Sequence, residues 1–176
     1  IFAAGSAIYS SPAIADGSVI VGSTNGSLYS LEALSGRVHW KQEWNSPMLG
    51  VPRVDSTGIY IGGSNGEFRS FRVADGAVRW QYAGLRGFVE TRPALCDGKV
   101  IFGAWDSYLY ALSAVDGRCI WTWSNGSPTE NLSPAGCWPV TANGTAFIVA
   151  PDRYMTAIDV ATGRVVWRTN AHQVRE

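Results

Sequence analysis

Apolar positions along the chain come in short runs at fixed distances from one another, and no segment keeps a 3.6-residue period for three turns. Val19-Ile20-Val21, Ile59-Tyr60-Ile61, Val100-Ile101-Phe102 and Ala146-Phe147-Ile148 each stand seven to nine residues after a proline: Pro12, Pro52, Pro93 or Pro139. Such a run, rich in β-branched and aromatic residues, predicts a strand covered on both faces. A second set follows at offset 16 from the proline (Leu28, Phe68, Leu109, Met155) and at offset 19 (Leu31, Phe71, Leu112, Ile158). Between them offset 18 is always small: Ser30, Ser70, Ala111 and Ala157. Large and small residues at fixed places suit sheets packed closely face to face.

Turn residues separate the runs. Asp16-Gly17, Asp97-Gly98 and Asn143-Gly144 predict one hairpin, and Asn25-Gly26 and Asn65-Gly66 a second. Ser35-Gly36, Asp75-Gly76, Asp116-Gly117 and Thr162-Gly163 predict a third, and the strand after it ends in a tryptophan. That tryptophan lies 28 residues after the proline in every copy: Trp40, Trp80, Trp121 and Trp167. A repeat of roughly 40 residues means a stacked array whose units cannot bury their faces alone. Each copy reads as four short antiparallel strands, A to D, which is one blade of an all-β propeller. The four blades fall at about residues 8–44, 48–83, 88–124 and 135–169, within one propeller segment over residues 1–176. Ile1-Phe2-Ala3-Ala4 reads as an outer strand left from a preceding blade.

The run from Pro12 to Trp40 resembles the pyrroloquinoline-quinone-type (PQQ-like) propeller repeat. It carries Asp16-Gly17-Ser18-Val19-Ile20-Val21-Gly22-Ser23, Asn25-Gly26-Ser27-Leu28-Tyr29 and Ser35-Gly36-Arg37-Val38-His39-Trp40. The other copies match similarly. The resemblance implies that Trp40, Trp80, Trp121 and Trp167 dock between neighbouring blades, and that the ring holds seven or eight blades. Four blades would then be part of a larger propeller, or a half-ring closed as a homodimer, because an open arc exposes apolar faces. The repeat builds quinone-dependent alcohol dehydrogenases, an outer-membrane assembly lipoprotein and accessory domains of other enzymes. It implies a periplasmic, secreted or cell-surface setting. A looser similarity, through Phe88–Asp106 and Ile148–Met155, is to propellers attached to bacterial calcineurin-like metallophosphoesterases.

Composition narrows the function. Of the 176 residues 46% are apolar, enough for a core, and 14 basic side chains balance 14 acidic ones. That balance disfavours nucleic acid as a partner, since phosphate binding needs a basic surplus. The apolar stretches are too short for a transmembrane helix. Ile1-Phe2-Ala3-Ala4-Gly5 lacks the basic start of a signal peptide, so the chain reads as mature or excised.

Departures from the repeat point to a site. In an up-and-down blade the B–C turns and D–A connections share one rim. There the third and fourth copies replace the Asn-Gly turn by Ala104-Trp105-Asp106-Ser107 and Ala150-Pro151-Asp152-Arg153, and the connection Ser124–Ser133 is the longest. Just before the prolines stand Ser11, Val51, Arg92 and Trp138, and two residues earlier Tyr9, Leu49, Glu90 and Gly136. Alternation puts each set on one strand face. Glu90, Arg92, Trp105, Asp106, Trp138, Asp152 and Arg153 are therefore expected on one rim of blades three and four, as a surface for a protein partner or small ligand. The plainer reading is ion pairing of Glu90 and Arg92 with each other or with Asp152 and Arg153, packing for Trp105 and Trp138, and turn roles for Asp106 and Asp152.

Catalytic chemistry finds little footing. Cys96, Cys119 and Cys137 form no vicinal pair of the kind the quinone dehydrogenases set against their cofactor, and read as buried thiols. His39 and His172 are too few and too scattered for zinc or for a Ser–His–acid triad. The expectation is a non-catalytic binding scaffold with no cofactor and no metal, part of a larger extracytoplasmic bacterial protein. The alternatives are an accessory propeller of a metallophosphoesterase whose catalytic domain lies elsewhere, and a fragment of a PQQ-dependent dehydrogenase.

Overall fold

A computed structural model describes residues 2–126, 133–150 and 152–170. It contains four antiparallel four-stranded sheets, each with its strands in chain order. The first comprises β1 (Ala13–Ala15), β2 (Ser18–Gly22), β3 (Ser27–Glu32) and β4 (Val38–Glu43), and the second β5 (Arg53–Asp55), β6 (Gly58–Gly62), β7 (Phe68–Phe71) and β8 (Val78–Tyr82). The third comprises β9 (Ala94–Cys96), β10 (Lys99–Ala104), β11 (Tyr108–Ser113) and β12 (Cys119–Trp123), and the fourth β13 (Val140–Ala142), β14 (Thr145–Val149), β15 (Tyr154–Asp159) and β16 (Val165–Asn170). A single 3-10 turn, Pro134–Gly136, is the helical element among the described residues, and no helix there is long and apolar enough to cross a membrane. The fold is an all-β arc of four propeller blades. The short first strands lie innermost, β1 beside β5 and β9 beside β13.

The hairpins form where the turn residues put them. Asp16 and Gly17 both take positive φ, 45° and 75°, as do Asp97-Gly98 and Asn143-Gly144, the geometry a two-residue hairpin needs. The second copy has Ser56-Thr57 there instead, and Asp55 Oδ1 holds the turn by accepting from the Thr57 and Gly58 N–H groups at 2.7 and 3.1 Å.

Burial explains the continuous apolar strands. All five residues of β6 are buried, because its two faces pack on different neighbours. Ile59 and Ile61 join Ile20, Leu28 and Phe71 between the first two sheets, whereas Tyr60 joins Phe68, Val100 and Phe102 between the second and third. Phe68 and Phe102 stack across that seam at 3.9 Å. Ile101, Leu109, Trp121, Ile148 and Ile158 fill the seam between the third and fourth sheets. Most of the core is therefore a set of inter-blade seams.

Tryptophan and glycine lock each seam. The indole Nε1 of Trp40 donates to the Val73 carbonyl at 2.9 Å, Trp80 to Ala114 at 3.0 Å and Trp121 to Val160 at 2.9 Å, always one sheet further on. The receiving sheet offers its C–D turn glycine: Gly76 lies against Trp40, Gly117 against Trp80 and Gly163 against Trp121. Gly36 in the first sheet has the same conformation, but open space where an indole would lie. Trp167 occupies the equivalent place on β16, where no further sheet among the described residues covers it, and it is 42% exposed.

Two features differ from the sequence expectation. Every C–D ladder carries a bulge, so that Ser30, Ser70, Ala111 and Ala157 stand opposite Trp40, Trp80, Trp121 and Trp167, and one extra residue (His39, Arg79, Ile120, Val166) is left unpaired. The small residue at offset 18 faces the bulky indole, and the bulge turns that indole toward the next sheet. Phe2-Ala3-Ala4 is not a strand. It lies along the first blade instead, with Phe2 edge-on to Tyr29 at 5.0 Å and the Ala4 carbonyl accepting from Asn25 Nδ2 at 2.7 Å.

Glu67 at the B–C turn of the second blade is a polar anchor. Its Oε2 accepts from Trp44 Nε1 and Arg69 at 2.8 Å each, and its Oε1 from Gln81 Nε2 at 2.8 Å. Arg69 in turn covers the Trp44 ring at 4.7 Å. Burial pushes this carboxyl up, but hydrogen bonds from Trp44 and Asn65 and the Arg69 charge outweigh it and hold the group below its ordinary value of 4.5. A depressed carboxyl contributes its stability in full above the unfolded-state pKa and loses it as pH falls through the folded one. Thermal melts from pH 7 to pH 3 are expected to show the parent losing more stability than Glu67→Gln below about pH 4.5. Parallel curves would remove Glu67 from the acid response.

Candidate functional site

The rim is held by main-chain bonds as well as by side chains. Thr24 N–H donates to the Ala7 carbonyl at 3.0 Å, Ser64 to Pro47 at 3.1 Å, and Trp105 to Phe88 at 3.0 Å. Each bond ties a B–C turn of the first three blades to the segment leading into its own blade, and side chains add to it: Thr24 Oγ1 donates to the Ala7 carbonyl at 3.1 Å, and Asp106 Oδ2 accepts from the Arg86 N–H.

On this scaffold the expected site residues separate into three groups. Glu90 and Trp105 come together: Trp105 Nε1 donates to Glu90 Oε2 at 3.1 Å, and Phe88 lies 5.7 Å from the Trp105 ring. Asp106 is spent on its turn, with Oδ1 accepting from the Tyr108 N–H at 3.1 Å and Oδ2 from the Tyr110 hydroxyl at 2.6 Å and the Arg86 N–H at 3.1 Å. Burial, followed by the Asp106 contact, pushes the Tyr110 phenol far up, so it stays a hydrogen-bond donor. Asp152 likewise accepts at Oδ1 from the Tyr154 N–H at 3.0 Å and at Oδ2 from Arg168 at 2.6 Å, and Arg168 covers the Tyr154 ring at 4.5 Å. The ion pairing weighed for Glu90, Arg92, Asp152 and Arg153 among themselves does not form among the described residues, because Trp105 takes Glu90 and Arg168 takes Asp152.

Backbone strain marks the same turns. Ser107 and Arg153 hold φ of 72° and 68° where the first two copies have glycine. A non-glycine residue in that region costs about 1–2 kcal/mol, and such positions gather at binding and catalytic sites. Pro151 and residues 127–132 of the long connection lie outside the described residues.

Arg92 and Trp138 form the third group, two residues before the innermost strands β9 and β13 rather than on the turns. Both are exposed, Trp138 at 54%, and both line two adjoining cavities of about 250 and 400 Å³ along the inner wall of the arc. Arg53, one residue after Pro52, lines the same two cavities and escaped the sequence reading. The signal is in the repeat: position 53 carries a charge where its counterparts Ala13, Ala94 and Val140 carry none.

The remaining chemistry is quiet. The three cysteines are unpaired, and burial pushes each thiol up, away from the reactive thiolate.

The sequence profile of the family described as outer membrane protein assembly factor BamB matches residues 3–122 and 84–175. This chain belongs to that family. The BamB of Salmonella typhimurium is 37% identical over 175 residues, covering 93% of this chain and 44% of its own. Among solved structures, BamB from Moraxella catarrhalis superposes with a TM-score of 0.78 at 20% identity, over 92% of this chain and 48% of that one. The quinohemoprotein alcohol dehydrogenase from Comamonas testosteroni gives 0.73 at 16% identity, over 94% and 35%. The chain thus spans less than half the length of these BamB proteins, and the likeness to the dehydrogenase is one of fold.

Proposed function

We propose that this chain is the interaction-bearing part of a larger, non-catalytic outer-membrane assembly factor of the BamB kind, working outside the cytoplasm. The family match along residues 3–175 carries the reading. Its mechanism is presentation. The seams hold the sheets rigid, the Trp105 N–H bond to Phe88 and the Asp106 and Asp152 contacts hold the rim turns, and Phe88, Trp105 and Arg153 are offered to a protein partner, which lowers the ordering cost of binding. The exposed indole of Trp167 would dock on a further blade as Trp80 docks on the third sheet. The BamB relatives give no support to the metallophosphoesterase reading.

A chimera tests this. The matching segment of the Salmonella typhimurium protein is replaced by residues 1–176 and expressed in cells lacking that protein. The chimera is expected to restore outer-membrane protein levels, and Phe88→Ala with Arg153→Glu to reduce them at unchanged expression. A stable chimera that restores nothing would defeat the proposal. So would alcohol-dependent dye reduction by the chain with added quinone and calcium, which is the expectation of the dehydrogenase alternative.

A further inference from the structure

We infer that the inner wall of the arc is a receptor for a carboxylate-bearing, extended segment of a protein partner, gripped by Arg53 and Arg92 against the open face of Trp138. The inference deepens the scaffold reading by naming the chemistry of the partner.

The two adjoining cavities share these three residues and no others. Neither guanidinium has an acidic partner within ion-pair distance among the described residues, although the chain carries as many acids as bases. The Nε of Arg53, like that of Arg69, is sealed from solvent with no hydrogen-bond partner. Two like charges beside one cleft repel each other, and an anion between them relieves both. The planar fork of arginine matches a carboxylate with two parallel bonds.

The shape selects a chain over a small acid. Together the cavities reach from Ser11 and Ile14 on the first inner strand to Val140 and Thr141 on the fourth, crossing all four blades. A free dicarboxylate would fill a fraction of that length. Ile14 and Val140, at 67% and 61% exposure, flank the charged centre together with Trp138 and offer apolar contact to the residues on either side of an acidic one. A nucleic acid is disfavoured because the rest of the chain brings no basic surplus to follow a phosphate backbone.

Fluorescence anisotropy with a labelled octapeptide of glutamates broken by two leucines tests the assignment. The peptide is expected to bind the full chain, more weakly as salt is raised, whereas the glutamine analogue does not bind. Arg92→Ala and Arg53→Ala should each weaken it about tenfold, the loss of a charge-assisted bond, and Arg92→Lys should recover part of that. Arg86→Ala, on the rim and away from the cleft, should leave binding unchanged. Arg92 is exposed and makes no described hydrogen bond, so its variants should melt as the parent does and keep the test valid if Arg53→Ala unfolds. Equal binding by Arg92→Ala and parent, or by the glutamine and glutamate peptides, would overturn the inference. So would glutarate binding as tightly as the peptide, which would make the site one for small acids. A chimera that still restores outer-membrane protein levels beside a failed peptide test would leave the scaffold reading standing and remove only this cleft.

Discussion

Trp80→Ala is expected to cost about 3–5 kcal/mol, the range for an aromatic removed from a core. The indole is 7% exposed, lies near Tyr60 and Phe68, and donates to the Ala114 carbonyl across the seam. Removing it opens a cavity between two sheets and leaves that carbonyl one donor short. Trp167→Ala, a chemically identical change at the matching place on the fourth sheet, should cost below about 1 kcal/mol, as surface substitutions do. Urea unfolding of both variants beside the parent decides this. Equal losses would mean that the indoles act within their own sheets rather than between neighbours.

The second large effect is a matched pair of glycines. Gly36 and Gly117 have φ of 72° and 74°, so alanine meets the same backbone penalty at either, about 1–2 kcal/mol. At Gly36 a Cβ would point into open space, whereas at Gly117 it would stand 2.4 Å from the Trp80 ring. Overpacking of that kind adds about 1–3 kcal/mol. Gly117→Ala should therefore melt well below Gly36→Ala, and the difference should vanish when Trp80→Ala is present in both. If it persists, something other than the indole sets the cost.

Much of this architecture is legible in the chain because its causes are local and repeated. Aspartate–glycine and asparagine–glycine pairs fix the hairpins, and strands buried on both faces read as unbroken apolar runs. The bulge opposite each tryptophan is not legible, since one added residue leaves the spacing from proline to tryptophan unchanged from copy to copy. The small residue at offset 18 was its only trace. At the site, alternation puts Glu90 and Arg92 together but cannot tell that Trp105, from the neighbouring turn, claims the carboxylate. Asp106 and Asp152 align with asparagines of the first two copies, and that alignment foreshadows their service to the turn. Arg53 is less legible because it opens the inner strand β5 just past the proline, and only its charge sets it apart from Ala13, Ala94 and Val140.

The main-chain bonds between turns and incoming segments carry an evolutionary consequence. Because Thr24, Ser64 and Trp105 are tied through their peptide groups, rim side chains that make no bond of their own to the frame can drift without loosening it. A lineage could exchange one display for another, position by position, and acquire new recognition while its fold stayed as it was.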